Sequence, residues 1–292
     1  MEVKNSLQLR VLSFNILAEV WANPDWYKGI DKRVLDTAIR MKCISRTIRE
    51  SEAHIVCLQE VQDISFKVLH DEFDSTYLLS PLCANNPTDA KNEQGQMIPN
   101  GTVIMVKRDT VSVFEPKAVT WLPSTGTDTS QGHGTTGTIA HIKLTAQWSN
   151  RSLFLVNCHL DFDSTLMTTK QQWAAVADQI CKHGNVDAVI CCGDMNIVHA
   201  DMKQLCLTTK GTEYFTDTLN VHSHDWTYFG NGGPKRTDYI LYKSHTLVHD
   251  ANRSYLIESA SAKTQPEMCT LNLRMYGSDH CPVLAVLVVN TN

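Results

Sequence analysis

The chain contains 10 cysteines but no Cys-x-x-Cys pair, and it has no Pro-rich tract, no low-complexity run and no repeat of fixed period. The missing cysteine spacing argues against a zinc site, and ten cysteines spread over 292 residues are too dilute for a disulfide framework. Cys57, Cys158, Cys191 and Cys192 lie inside apolar, strand-like runs and read as buried reduced thiols. With no change of composition to divide the chain, residues 1–292 are expected to form one domain. A content of 42 % hydrophobic and 20 % charged residues is enough to bury a substantial core.

Runs of transmembrane length are also missing, and no leader is expected, because the apolar stretch Val11–Leu17 is short, interrupted and closely followed by Glu19. The expectation is an intracellular, cytoplasmic chain with no membrane insertion. The triplets beginning at Asn100, Asn150 and Asn252 match the glycosylation pattern but carry little meaning without a secretory route. Positive charge is in deficit, with a formal net charge of -5. That argues against a broad electrostatic footprint on nucleic acid. It does not exclude a nucleotide substrate, since a bound metal ion reverses the sign of the local field. There is no phosphate-cradling GxxxxGK[ST] loop and no Ser-His-Asp elbow.

What is present is a succession of strand-like runs: Leu9–Leu17, Ala53–Leu58, Gly101–Lys107, Val111–Phe114, Thr138–Leu144, Ser152–Cys158, Ala188–Cys192, Thr237–Tyr242 and Pro282–Val289. Helical spacing of apolar residues occurs over Lys32–Glu50, with Asp31 placed to cap it, and over Thr168–Cys181. Many strands and few helices suit two sheets packed face to face with helices outside. Four long segments, Ser80–Pro99, Leu122–Gly137, Val221–Arg236 and Glu258–Gly277, read as loops and are expected to border a substrate cleft.

Polar residues recur where an apolar strand ends. Asn15, Glu60, His159, and Asp194 with Asn196 each follow such a run, Asp279-His280 precedes the last strand, and Asp238 opens Asp238-Tyr239-Ile240. Any one of them alone reads as a turn cap or a solvated group. Together, carboxylates, amides and imidazoles form the inventory for phosphoryl hydrolysis with a hard metal ion.

Six motifs carry a resemblance: Ser13-Phe14-Asn15-Ile16-Leu17, Cys57-Leu58-Gln59-Glu60-Val61, Asn157-Cys158-His159-Leu160, Gly193-Asp194-Met195-Asn196, Thr237-Asp238-Tyr239-Ile240 and Ser278-Asp279-His280-Cys281-Pro282. In this order they resemble the endonuclease/exonuclease/phosphatase superfamily, deoxyribonuclease I-like in fold. The resemblance implies an α/β fold, a four-layered α/β sandwich of two mainly antiparallel β-sheets packed face to face with helices outside. It implies Glu60 as the principal Mg²⁺ ligand (Mn²⁺ as a substitute), with Asn15 and Asp279 completing or supporting the metal site. Asp194 is then expected to orient and deprotonate the attacking water, with Asn196 fixing that water and a phosphate oxygen. His280, held by Asp238, and His159 are expected to stabilise the phosphoryl oxygens, each such donor worth about 3 kcal/mol in the transition state.

Asn15-Ile16-Leu17-Ala18, the Arg40-containing helix and Asp225-Trp226-Thr227-Tyr228 are most similar to the nocturnin, Angel and catabolite-repressor-type deadenylase branch. The chain departs from it at Ile197-Val198-His199, where a Ser and Pro are more usual, and at Gly230-Asn231-Gly232-Gly233-Pro234. The branch implies a nucleic-acid or nucleotide substrate, as for an RNA 3′ exonuclease. Trp226, Tyr228 and Phe229 are candidates to stack on a base, worth about 1–3 kcal/mol, or else to pack in the core. Lys235 and Arg236 are candidates to hold phosphate. Two other readings stay open: hydrolysis of inositol phosphates or phospholipid headgroups, and an inactive interaction module on the same fold.

Overall fold

The computed structural model describes residues 7–86, 91, 95–96, 98–122, 135–162, 167–183, 185–219, 226–229, 234–250, 255–256 and 265–289. The chain order is β1 (Gln8–Asn15), α1 (Thr37–Ser51), β2 (Ile55–Val61), α2 (Asp63–Phe73), β3 (Tyr77–Leu79), β4 (Cys83–Asn86), β5 (Asn100–Lys107), β6 (Val111–Leu122) and β7 (Thr135–Leu144). There follow β8 (Ser152–His159), α3 (Met167–His183), β9 (Ala188–Asp194), α4 (His199–Thr208), β10 (Thr216–Asp217), β11 (Asp238–Ser244), β12 (Leu247–His249), β13 (Tyr255–Leu256), α5 (Gln265–Met275) and β14 (Val283–Val289).

The strands form two sheets. One runs β12-β14-β1-β2-β5-β3, with β13 on β14 and β4 on β5, and the other runs β10-β11-β9-β8-β7-β6. Pairing is antiparallel except at β1/β2 and β8/β9. These two parallel pairs lie in the middle of their sheets and are buried on both faces, which accounts for their continuous apolar runs.

Alternation along the strands sorts the core into three layers. Leu9, Val11, Ile55, Cys57, Leu153, Leu155, Ile190, Cys192 and Ile240 face inward and pack sheet against sheet. Their neighbours Leu12, Phe14, Val56 and Leu58 face outward onto Met41, Ile44 and Ile48 of α1, Leu69 of α2 and Leu273 of α5. Phe154, Val156, Val189, Cys191 and Tyr239 do the same on the other side, against Trp173, Val176 and Ile180 of α3 and Met202 of α4. Helix, sheet, sheet, helix is the four-layered sandwich that the sequence motifs imply.

Several boundaries differ from the sequence reading. Asp31 caps a separate 3-10 turn at Lys32–Leu35 through Arg33 N–H, and α1 begins only at Thr37, capped by Asp36 through Ile39 N–H. The extended Asp36 backbone interrupts what reads as a single helical period. The first strand stops at Asn15, since Leu17 has φ +57°. The segment Glu258–Gly277 is not all loop, because α5 occupies Gln265–Met275, and Ser80–Pro99 contains β4. Helices α2 and α4 have no counterpart in the sequence reading. Parts of the four long segments, with Asp225, Gly230–Gly233 and the Asn252 triplet, lie outside the described residues. Among the described residues no helix is long and apolar enough to cross a membrane.

Candidate active site

The side-chain alternation that builds the inter-sheet core also builds the site. In β1 the odd-numbered residues face inward, so Asn15 ends that strand pointing between the sheets. By the same period His159 ends β8, Asp194 ends β9 and Asp238 begins β11, all on the inner face of the second sheet. Register places them side by side, with His159 opposite Asp194 and Asp194 opposite Asp238. One end of the apolar core is therefore lined by an amide, two carboxylates and an imidazole.

Glu60 does not follow the alternation. A regular β2 would turn it outward with Val56 and Leu58. Instead Glu60 has φ +59°, and the β2/β5 register shifts between Leu58 and Val61. This irregularity re-aims one side chain, a common use of strained backbone at a site. Glu60 Oε1 accepts from Asn15 Nδ2 at 2.6 Å, and Oε2 accepts from the Ala18 N–H at 2.8 Å. The same Asn15 amide donates to Asp194 Oδ2 at 3.1 Å and so bridges the two sheets. Its Oδ1 accepts from Leu17 N–H, which fixes the amide's orientation.

The imidazoles complete the cluster. His159 Nε2 stands 3.8 Å from both Glu60 Oε1 and Asp194 Oδ2. His280 Nε2 lies 3.7 Å from Asp194 Oδ2, while its Nδ1 donates to Asp238 Oδ2 at 2.9 Å. Ligand-type atoms of Glu60, His159 and Asp194 lie mutually within 4.8 Å, as do those of Asp194, Asp238 and His280. Asn196, at φ +49°, gives its backbone N–H to Asp194 Oδ1 and one amide hydrogen to Leu160 O. Asp279 accepts from the Tyr27 hydroxyl at 3.0 Å through Oδ2, and its other oxygen is buried without a hydrogen bond.

Electrostatics follow from burial. Removal from water pushes the Glu60 carboxyl above the usual range, against His159, His280 and the Asn15 and Ala18 donors. Burial works against charge on Asp194 as well, but His280 and His159 outweigh it and hold that carboxyl below its usual range. His280 is disfavoured as a cation by burial, yet the Asp238 carboxylate, aided by Asp194 and Asp279, lifts it well above the ordinary imidazole range. Burial raises the Asp238 carboxyl too, with His280 and Thr227 acting against that shift.

Of the substrate-contact candidates, the structure brings only Tyr228 to the cluster, its ring 4.9 Å from that of His280. Phe229 is buried in the core with 3 % exposure, its N–H donating to Asp279 O, so it is a packing residue and not a stacking surface. Arg236 is likewise withdrawn from the cluster: its guanidinium pairs with Asp217 and lies over the Tyr239 ring. Trp226 is half-buried against the core.

Residues that sequence reasoning left unassigned support the site from behind. Gln59 Nε2 donates to Asn157 Oδ1 at 2.7 Å, and Asn157 Nδ2 donates to Leu58 O and Val103 O across the sheets. This buried amide layer divides the polar end from the apolar core. Thr227 Oγ1 accepts from Thr237 N–H and Asp238 N–H, and Ser278 Oγ donates to Asn15 O. Gln59, Asn157 and Ser278 stand inside the motifs, so a period-2 count from Cys57 along β2 and from His159 along β8 was the signal that could have found the first two. Trp21, with its ring edge toward His159 at 6.5 Å, had no such signal.

The donor set fits a hard divalent cation. Carboxylate oxygens of Glu60 and Asp194 lie within 4.8 Å of each other in a buried site, and one buried oxygen of Asp279 has no hydrogen bond.

The sequence profile described as "Endonuclease/Exonuclease/phosphatase family" matches residues 12–280. No curated protein sequence matches the chain. Among solved structures, ANGEL2, described as a 2′,3′-cyclic phosphatase in complex with adenosine-2′,3′-vanadate, superposes with a TM-score of 0.71 at 17 % identity, over 98 % of this chain and 96 % of that one. The human Nocturnin catalytic domain with bound sulfate gives 0.69 at 16 % identity, over 98 % and 96 %. D. rerio TDP2 complexed with a single-strand DNA product gives 0.64 at 19 % identity, over 96 % and 98 %. At these identities the likeness is one of fold.

Proposed function

This chain belongs to the endonuclease/exonuclease/phosphatase family, and from that premise we propose that it hydrolyses phosphodiester bonds in nucleic acid or nucleotides by in-line attack of water. The observation that carries the reading is the meeting of Glu60, Asp194, His159 and His280 within one buried cluster, with Asp238 behind His280.

Asp194 is the proton acceptor for the attacking water. It is held as an anion, and its two oxygens are fixed by Asn196 N–H and the Asn15 amide. Asn196 keeps a second amide hydrogen beside the one given to Leu160 O, and this is the one directed to a phosphoryl oxygen. His280 is held by Asp238 through Nδ1, which leaves Nε2 to donate to the phosphoryl oxygens as their charge changes. His159 supplies a further donor on the Glu60 side. A Mg²⁺ ion, or Mn²⁺ in its place, would be held by Glu60 with Asn15 and Asp279 in support, and when bound it neutralises charge on the phosphoryl group.

Support for a nucleotide substrate comes from the aromatic rim. Trp21 and Tyr228 flank the two imidazoles. Phe162, three residues beyond His159, is 68 % exposed with Lys235 Nζ 4.9 Å over its ring. Flat exposed rings beside a cation suit a base and its phosphate. The nucleotide and single-strand DNA ligands named for ANGEL2 and TDP2 agree with this choice.

The test is a panel of labelled poly(A), mixed RNA, single- and double-stranded DNA, a nucleoside 2′,3′-cyclic phosphate, NADP and an inositol phosphate, each with Mg²⁺ and with chelator. Cation-dependent cleavage of one of the nucleotide substrates is expected. Turnover of the inositol phosphate alone would overturn the substrate class, and silence throughout would overturn the activity.

A further inference from the structure

Arg40 is completely buried, and its hydrogen bonds go to backbone carbonyls and to none of the side chains assigned to the chemistry, although the Asp279 and Glu60 charges act on it. It projects from the first turn of α1. Nη1 donates to Ile16 O at 2.9 Å and to Gly277 O at 2.8 Å, and Nη2 donates to Leu17 O at 2.7 Å. Ile16 and Leu17 directly follow Asn15, and Gly277 directly precedes Ser278-Asp279-His280. One planar guanidinium thus joins the loop bearing Asn15 to the loop bearing Asp279 and His280.

The backbone on both sides is shaped to this contact. Leu17 has φ +57° and Gly277 has φ +77°. A Cβ at position 277 would lie 2.4 Å from the Arg40 carbonyl oxygen, so the loop comes closer to α1 than any other residue allows. Ser278 makes a second tie between the same loops, donating from Oγ to Asn15 O at 2.7 Å and accepting from His280 N–H at 3.1 Å. Glu19 stands 3.9 Å from Nη2 as the counter-charge. Burying a guanidinium is costly unless it is paired and hydrogen-bonded. Three convergent carbonyls require a rigid fork with several donors, which a lysine does not provide.

From this juxtaposition we propose that Arg40 is a positioning residue, which sets the separation between the Asn15–Glu60 half of the site and the Asp279–His280 half. The proposal rests on the phosphodiesterase reading for its catalytic consequence but not for the clamp itself. Displacements of about 1 Å in a phosphoryl-transfer site cost on the order of 100-fold in rate. Slack between the halves therefore appears in kcat more than in substrate binding at the rim.

The experiment compares wild type, Arg40→Lys, Arg40→Met and Tyr77→Phe. Tyr77 donates to Ala53 O at 2.7 Å, away from the site, so its variant reports the effect of losing a buried hydrogen bond elsewhere. Each protein is followed by thermal melting, by amide hydrogen exchange of residues 15–19 and 276–281, and by kcat and KM on the best substrate of the panel. Arg40→Lys is expected to remain folded, to exchange faster in both segments together, and to lose about 10- to 100-fold in kcat with KM within about threefold. Tyr77→Phe is expected to change neither segment and to keep wild-type kcat. Unfolding of Arg40→Met leaves Arg40→Lys to decide.

Faster exchange with unchanged kcat would reduce Arg40 to a brace and overturn the proposal, as would exchange like wild type. If wild type cleaves nothing on the panel, the phosphodiesterase reading fails. The exchange result then still decides whether Arg40 couples the two loops.

Discussion

His280 and Asp194 approach to 3.7 Å, the imidazole held by Asp238 and the carboxylate by the Asn15 amide and Asn196 N–H. His280→Ala is expected to lower kcat by about 10²–10³-fold, the scale of a lost transition-state donor. Asp238→Asn is expected to do less harm, since it removes the orienting carboxylate and leaves the ring; steady-state kinetics on the best substrate check both. A different histidine sets an acid limit on stability. His54 accepts the Arg10 N–H through Nδ1 at 3.0 Å and lies edge-on to Trp148. Burial, with Lys107 and Arg10 nearby, pulls its pKa down from 6.5 to about 4. A depressed histidine contributes stability that is complete above the unfolded value and lost as pH falls, here between 6.5 and about 4. Urea unfolding is expected to shift to lower midpoints over that window, and His54→Asn, which keeps an acceptor without the titration, should flatten it.

At the level of elements, the strand ends place the chemistry and the turns after them aim it. Gly193, at φ +149° between Cys192 and Asp194, lets β9 approach β8 so closely that a Cβ would lie 1.8 Å from Cys158 O. Gly193→Ala is expected to destabilise by ~3 kcal/mol or more, through strain and a forced separation of His159 from Asp194. Denaturant unfolding measures the first and loss of kcat in the folded fraction the second. Strands were legible because a period of two is short and repeats within each run, and with them went the site: Asn15, His159, Asp194 and Asp238 are inward residues at strand ends. Glu60 stood out as a polar residue ending an apolar run, but alternation alone points it outward, and it joins the others only because a bulge reverses its period. Phe229 and Arg236 misled for a related reason. Neighbours of Tyr228 and Asp238 share their loops, but alternation turns one into the core and the other toward Asp217. Helix α2 escaped notice because Asp63–Phe73 buries only Ser65, Leu69 and Phe73, a thin apolar stripe for its length. Helix α5 lies in a segment whose polar and small residues suggest loop.

For the molecule as a whole, acidic groups gather where they are least solvated, because Glu60, Asp194, Asp238 and Asp279 are all buried at one end of the inter-sheet core. Their repulsion is opposed by His280, Arg40 and the Asn15 amide, none of which bonds the second oxygen of Asp279. A divalent cation that binds this end of the native fold, and finds no such cluster in the unfolded chain, must raise stability by mass action. At about 100 times its dissociation constant the gain is about 2.7 kcal/mol, or about 5 °C in melting temperature for a chain of this size. Thermal melts in rising Mg²⁺ or Mn²⁺ are therefore expected to shift upward and saturate, and chelator should reverse the shift. Glu60→Gln removes the charge but retains the shape and an acceptor for Ala18 N–H, so it should abolish the response without unfolding the protein. A saturating shift of equal size in Glu60→Gln would place the cation elsewhere. A melting temperature indifferent to both ions in the wild type would deny the cluster its metal and leave Asp194 and the two histidines to act alone.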